Sequence, residues 1–244
     1  MLRLLIIPLL LLLGQPVSPE EPGTENLRYE VRYLYGALNT RVATASFNLT
    51  PDVWEGKDVY RSDIHVRVKP IFRLFLKADY VVEGRFSRPG MALMYYRSPS
   101  DRGEAWCRYT EGEKGVYYWR QFDKKPEPEI YVYPNDGKTF ELMSMLYFAR
   151  VYPFREGVPC EVKVILGGKL FPAVITWEST DTERYPGHTA QVLHLVFPER
   201  GLMENGSGNE ATVWRDADGS QPVLGLKVDL GKKGTMVCNI LEDK

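Results

Sequence analysis

Leu27-Arg28-Tyr29-Glu30-Val31-Arg32-Tyr33-Leu34-Tyr35 places an apolar or aromatic side chain at every second position, with Arg28, Glu30 and Arg32 between them. In an extended backbone successive side chains point to opposite faces, so this alternation makes one buried face and one wet face. The segment is read as a half-buried β-strand, and Ile64, Val66 and Val68, alternating with His65 and Arg67, are read the same way. Val162 to Leu166 and Lys169 to Ile175 flank Gly167-Gly168, two residues able to take φ > 0, which predicts a tight hairpin. Further strands are expected at 40–49, 80–87, 91–97, 103–110, 115–122, 188–197, 209–215, 222–230 and 234–241. Turn chemistry separates them, as at Arg88-Pro89-Gly90, Asp218-Gly219 and Gly231-Lys232-Lys233-Gly234. Short strands at this spacing predict a mainly β fold: a single antiparallel β-barrel or strongly curved sheet with one or two short helices.

Two segments break the period of two. Thr139 to Tyr152 sets Leu142, Met145, Leu146 and Ala149 on one helical face after the turn Pro134-Asn135-Asp136-Gly137, which predicts a helix. Val68 to Asp79 carries Ile71, Phe72, Phe75 and Leu76 on one stripe and Lys69, Arg73 and Lys77 on another, which predicts a second. Its cations opposite apolar residues suit either a membrane interface or a plug over one barrel end. Residues 25–244 contain no Pro/Gly/Ser-rich linker and no internal repeat, so one domain is expected over 21–244.

The 244 residues are 44 % hydrophobic and 26 % charged, a composition able to offset the entropy of ordering the chain. With 31 Lys+Arg against 32 Asp+Glu the net charge is −1, so no overall field exists to gather nucleic acid. Residues 1–20 are read as a signal peptide: Arg3, then an apolar run from Leu4 to Leu13 that is about half the length of a membrane-spanning helix. No cysteine lies near that run to accept a lipid. Cys107, Cys160 and Cys238 are far apart and form no Cys-x-x-Cys pair; three buried small hydrophobes are expected, with one disulfide plus a free thiol as the alternative.

Signs of catalysis are sparse, and an enzyme is not expected. His188 and His194, six residues apart in a strand, would be separated by about 20 Å, too far to share a metal ion. Gly206-Ser207-Gly208 lacks the preceding strand and following helix of a nucleophile elbow, and no glycine-rich phosphate loop occurs. No cofactor is expected. Aromatic residues instead crowd the middle strands: Tyr95, Tyr96, Trp106, Tyr109, Tyr117, Tyr118, Trp119, Tyr131 and Tyr133. Such rings either line a cavity for an apolar or sugar ligand or fill a wide sheet core.

Four segments carry a resemblance. Glu141-Leu142-Met143-Ser144-Met145-Leu146-Tyr147-Phe148-Ala149-Arg150 resembles the Asp-x-x-Ser-x-x-Tyr-x-x-Arg helix of a bacterial family catalogued as domain of unknown function 3108. Trp214, Asp218 and Pro222-Val223 stand at the spacing of its Trp-x-x-x-Asp then Pro-Val strand-turn-strand. Tyr185-Pro186-Gly187 and Tyr29-Glu30-Val31-Arg32-Tyr33 match a family turn and its first strand, so the resemblance spans about residues 27 to 241. Glu141 departs from the usual Asp, and Arg215-Asp216-Ala217 stands where the family has a Ser before its acid.

The resemblance implies an exported envelope protein of a Gram-negative bacterium, in the periplasm or outer envelope, with a curved antiparallel β architecture. It implies no activity. The leading expectation is therefore a non-enzymatic protein binding a lipid or glycan in a β-barrel cavity, with Ser144, Tyr147, Arg150, Trp106, Trp119, Trp214 and Asp218 as candidate ligand residues. The alternative is a structural or assembly factor that contacts a membrane or a protein partner through its surface. For Arg150 the choice lies between an acidic ligand and a tie from the helix to the barrel wall.

Overall fold

The alternating segments form strands throughout. A computed structural model describes residues 22–73, 80–88, 93–100, 103–110, 115–122, 127–134, 138–166, 169–198, 208–218 and 222–241. Its strands are β1 (Glu25–Tyr35), β2 (Leu38–Trp54), β3 (Lys57–Val68), β4 (Tyr80–Ser87), β5 (Leu93–Ser100), β6 (Gly103–Thr110), β7 (Gly115–Phe122) and β8 (Glu129–Pro134). They continue with β9 (Thr139–Glu141), β10 (Cys160–Leu166), β11 (Lys169–Asp181), β12 (Ala190–Val196), β13 (Glu210–Asp216), β14 (Val223–Asp229) and β15 (Thr235–Ile240), and among the described residues one α-helix, α1, spans Leu142–Val151. The expected signal peptide lies outside the described residues, as do Gly167-Gly168. Leu166 nevertheless pairs with Lys169, so β10 and β11 form the expected antiparallel hairpin.

All fifteen strands belong to one sheet, in the order β8-β7-β6-β5-β4-β3-β2-β1-β15-β14-β13-β12-β11-β10-β9. The chain meanders from β1 to β8, crosses to β9, and meanders back until β15 pairs antiparallel with β1. Bulges at Val31/Arg32, Arg85/Phe86, Trp177/Ser179 and Trp214/Arg215 bend the strands, and the sheet curls into a nearly closed barrel. The fold is the expected mainly β, barrel-like one.

The helix occupies the inside of the curl. Met145 and Ala149 pack with Val162, Val164, Leu193, Leu195 and Val213 of β10, β12 and β13, while Tyr147 packs with Leu49, Tyr60, Phe86, Cys107 and Tyr118 on the opposite wall. A helix surrounded by sheet must be apolar, or internally satisfied, on every face, and that accounts for the burial of Ser144, Tyr147 and Arg150 together.

Three expectations change in detail. Thr139–Glu141, expected as the first turn of the helix, is a strand paired parallel with β10, and the helix starts only at Leu142. Segment 129–134, given no strand of its own by the sequence reading, is β8. The second expected helix, 68–79, does not form where it is described: Val68 ends β3 and Pro70–Phe72 make a single 3-10 turn. Pro70 keeps Lys69 out of the helix, because the residue before a proline is driven out of helical geometry, and Lys69 is extended at φ −62 and ψ 141. Residues 74–79 lie outside the described ones.

Candidate functional site

The seven candidate residues separate into three places. Ser144, Tyr147 and Arg150 lie inside. Glu141 is the N-cap of α1: its carboxylate accepts from the Met143 N–H (2.9 Å), while the Ser144 hydroxyl accepts from the Glu141 N–H (2.9 Å), which makes a reciprocal capping box. The longer acid at 141 therefore still caps the helix. The Tyr147 hydroxyl hydrogen-bonds Ser62 Oγ of β3, and burial pushes it up to about 12. Arg150 donates from Nη1 and Nη2 to Glu25 of β1 (2.9 and 2.7 Å), a bidentate, nearly dry ion pair. Positions 144, 147 and 150, one helical edge in the sequence, thus fasten α1 to its own N-cap, to β3 and to β1.

Arg215, absent from the candidates, fastens the other end. Its Nη1 donates to the carbonyls of Ala149 (2.8 Å), Arg150 (3.0 Å) and Tyr152 (2.9 Å), and its Nε donates to Gln191 Oε1 (2.6 Å). A cation at the negative end of the helix dipole satisfies carbonyls that the last turn leaves open. Burial lowers Arg215 to about 10. An arginine within a strand motif looks solvent-facing in sequence, so nothing there marked it.

Beside α1 the interior leaves a cavity of about 50 Å³, bounded by Leu27, Tyr29, Phe47, Leu146, Leu226 and the Glu25–Arg150 pair. Ligand pockets run to about 300–1,000 Å³. Around this cavity α1 and the inward Tyr29 and Tyr147 occupy interior space.

Trp214 and Asp218 lie at the end of β13. The Trp214 ring is buried, with the Arg184 guanidinium 4.1 Å from its centroid and Tyr185 edge-on at 6.5 Å. Asp218 is exposed, and its backbone N–H donates to Asp216 Oδ1 (3.2 Å), while Asp216 Oδ2 meets His188 Nδ1 at 2.5 Å. These groups close the turn after β13 against the loop before β12. Tyr185 also reaches through the sheet position of Gly225, where a Cβ would lie 1.8 Å from its hydroxyl, and donates to Asn239 Oδ1 (3.0 Å).

Trp106 and Trp119 stand on the outer face. Alternation sorts the aromatic strands into two sets. Tyr96, Tyr118, Tyr131 and Tyr133 join the inner cluster with Cys107, whereas Tyr95, Trp106, Tyr117 and Trp119 occupy the opposite positions. The Tyr109 side chain lies outside the described ones. Two registered rows result: Arg97, Trp106, Trp119, Ile130 and, alongside, Tyr95, Arg108, Tyr117, Val132, each read across β5, β6, β7 and β8. Trp106 and Trp119 are stacked, with centroids 5.2 Å apart and planes 17° apart. Trp54 at the end of β2 extends the surface, its ring 5.9 Å from Tyr95 and 5.5 Å from the Arg108 guanidinium, which pairs with Glu55 at 2.5 Å. Ile130 and Val132 are exposed beside the rings. Register across four strands was not readable from sequence, so Trp54, Arg97, Arg108, Ile130 and Val132 were not candidates.

The three thiols are unpaired, as expected; Cys107 and Cys160 are buried and Cys238 half-buried. Burial pushes Cys238 up to about 11 and Cys107 well above its ordinary value, so both stay protonated and unreactive near neutral pH. Among the described residues no group of three His, Cys, Asp or Glu side chains is placed to hold a metal ion, and no helix is long and apolar enough to cross a membrane. No curated protein matches the chain. Residues 28–237 match the family model described as Protein of unknown function (DUF3108), and the chain belongs to that family.

Proposed function

We propose that the protein is an exported, non-enzymatic binding module that takes a glycan on the outer face of β5–β8. The observation that carries this reading is the pair of registered rows on the outer side of the sheet, one setting the stacked Trp106 and Trp119 between Arg97 and Ile130, the other setting Arg108 between Tyr95 and Tyr117. Tyr95, Trp106, Tyr117 and Trp119 are half-buried on the face away from the core, beside the exposed Ile130 and Val132, and a cluster of aromatic and aliphatic groups that reaches solvent marks an interaction surface. A sugar presents an apolar C–H face and a rim of hydroxyls. Ring faces suit the first and guanidinium donors the second, and four strands about 4.8 Å apart give a platform about 15 Å wide. An acyl chain needs a dry enclosure, and the cavity of about 50 Å³ beside α1 does not offer one.

The test is retention of the purified protein on a panel of immobilised bacterial envelope polysaccharides. Retention is expected for at least one glycan, weakened at least ten-fold by Trp119→Ala or by Trp106→Ala. The milder pair Ile130→Thr and Val132→Thr, at exposed positions, should weaken it without loss of melting temperature. No retention on any glycan, or retention indifferent to all four substitutions, refutes the proposal.

A further inference from the structure

Three connections lie at the same end of the sheet: the β1–β2 turn, the β3–β4 connection, which leaves β3 beside Val42 of β2, and the β14–β15 turn. The strand order β3-β2-β1-β15-β14 makes them neighbours. The Lys69 N–H donates to the Val42 carbonyl (2.9 Å), the Tyr33 hydroxyl donates to the Lys233 carbonyl, and a Cβ on Gly234 would lie 2.3 Å from the Leu34 carbonyl. At this end Tyr35, Leu38 and Ile71 are 57 %, 50 % and 72 % exposed. The described parts of these connections, Gly36-Ala37, Lys69 to Arg73 and Leu230 to Gly234, hold Lys69, Arg73, Lys232 and Lys233 and no acid, while the rest of the β3–β4 connection, outside the described residues, adds Lys77 and Asp79. Asp229, just before the last of them, turns its carboxylate to the Gly231 N–H (2.7 Å).

Singly exposed apolar residues need no explanation. Three at the tips of adjacent connections, ringed by cations in a chain of net charge −1, are a segregation of both apolarity and charge. We propose that this end docks on an anionic lipid surface, with Tyr35, Leu38 and Ile71 entering the headgroup layer and Lys69, Lys232 and Lys233 meeting the phosphates. The lysines form no ion pair among the described residues, so reaching lipid phosphate breaks none of those. Shallow insertion of apolar tips beside cations is the energetic arrangement of interfacial amphipathic helices, built here from turns. In the described part of segment 68–79, the 3-10 turn Pro70–Phe72 leaves Ile71 exposed. The surface is separate from the β5–β8 face, so the two readings stand or fall independently.

The test is co-sedimentation of the purified protein with vesicles of phosphatidylcholine alone and of phosphatidylcholine with a quarter phosphatidylglycerol. Retention is expected on the anionic vesicles, little on the neutral ones, and a steep fall as salt is raised. The triple change Lys69→Gln, Lys232→Gln, Lys233→Gln should weaken retention about 100-fold, at about five-fold per lysine. Ile71→Ser with Leu38→Ser should weaken it at least ten-fold even at low salt. All these positions are exposed, and unchanged circular dichroism confirms that the variants fold. Trp119→Ala should leave vesicle retention unchanged. Absence of retention on anionic vesicles, equal retention on both compositions, or indifference to the lysine substitutions overturns the proposal.

Discussion

Replacing Arg150 by Met separates a structural arginine from one held for a ligand. The Arg150 and Glu25 side chains are only 4 % and 12 % exposed, and two hydrogen bonds of 2.9 and 2.7 Å join them. Methionine keeps the packing of the aliphatic stem but leaves the Glu25 carboxylate facing an apolar cavity without its partner. Breaking a buried pair in this way costs about 3–5 kcal/mol. For a domain of this size each kcal/mol lowers the melting temperature by about 2–4 °C, so a drop of about 6–20 °C is expected. The assay is thermal unfolding followed by circular dichroism, with no ligand added. Replacing both partners, Glu25→Leu with Arg150→Met, removes the stranded charge and should recover most of the loss. A single variant melting within about 1 °C of the parent refutes the tie, and so does a double variant as unstable as the single one.

Other perturbations test neighbouring parts of the account. Gly225→Ala puts a methyl group 1.8 Å from the Tyr185 hydroxyl and should cost about 1–3 kcal/mol in urea unfolding, partly recovered by Tyr185→Phe. Burial holds the Tyr147 hydroxyl at about 12 against 10.0 unburied, so the unfolded chain releases its proton first. Stability contributed by the protonated hydroxyl is complete below pH 10 and declines by about 3 kcal/mol as pH rises towards 12. Tyr147→Phe should flatten that share of the alkaline loss in a pH series of melting curves, while costing about 1–2 kcal/mol at pH 7 through the stranded Ser62 hydroxyl. Ser144→Ala removes half of the capping box and should cost about 1 kcal/mol in the same assay.

The strands were legible because a period of two survives any register: burial in β1 alternates from Glu25 to Arg32 as the sequence does, and fades after the bulge at Val31/Arg32, leaving Tyr35 exposed. The helix was legible from Leu142, Met145, Leu146 and Ala149, although its start was not, since Thr139–Glu141 is held in a strand by pairing with β10, a contact between distant parts of the chain. In the described part of segment 68–79, the stripe runs across Pro70, whose local demand keeps Lys69 extended and so excludes a helix starting at Val68. At the candidate site, the Ser144, Tyr147 and Arg150 spacing was read as one helical edge, and the structure turns that edge towards β1, β3 and the helix's own cap. Their partners Glu25 and Ser62 lie 125 and 85 residues away, beyond any local pattern. The aromatic strands were visible as composition, but which rings face inward depends on parity along each strand. Cys107 opposite Tyr118 and Trp106 opposite Trp119 settle it.

On the proposed reading the interior supports the fold and the outer face of β5–β8 takes the glycan. The most direct measurement compares the affinity for a retained glycan of the parent protein, Trp119→Ala on the outer face, and Leu226→Phe, which adds bulk to the cavity beside α1. The account predicts at least a ten-fold loss for Trp119→Ala and an unchanged affinity for Leu226→Phe. Loss on filling the cavity, with Trp119→Ala binding as the parent does, would place the ligand inside and contradict it.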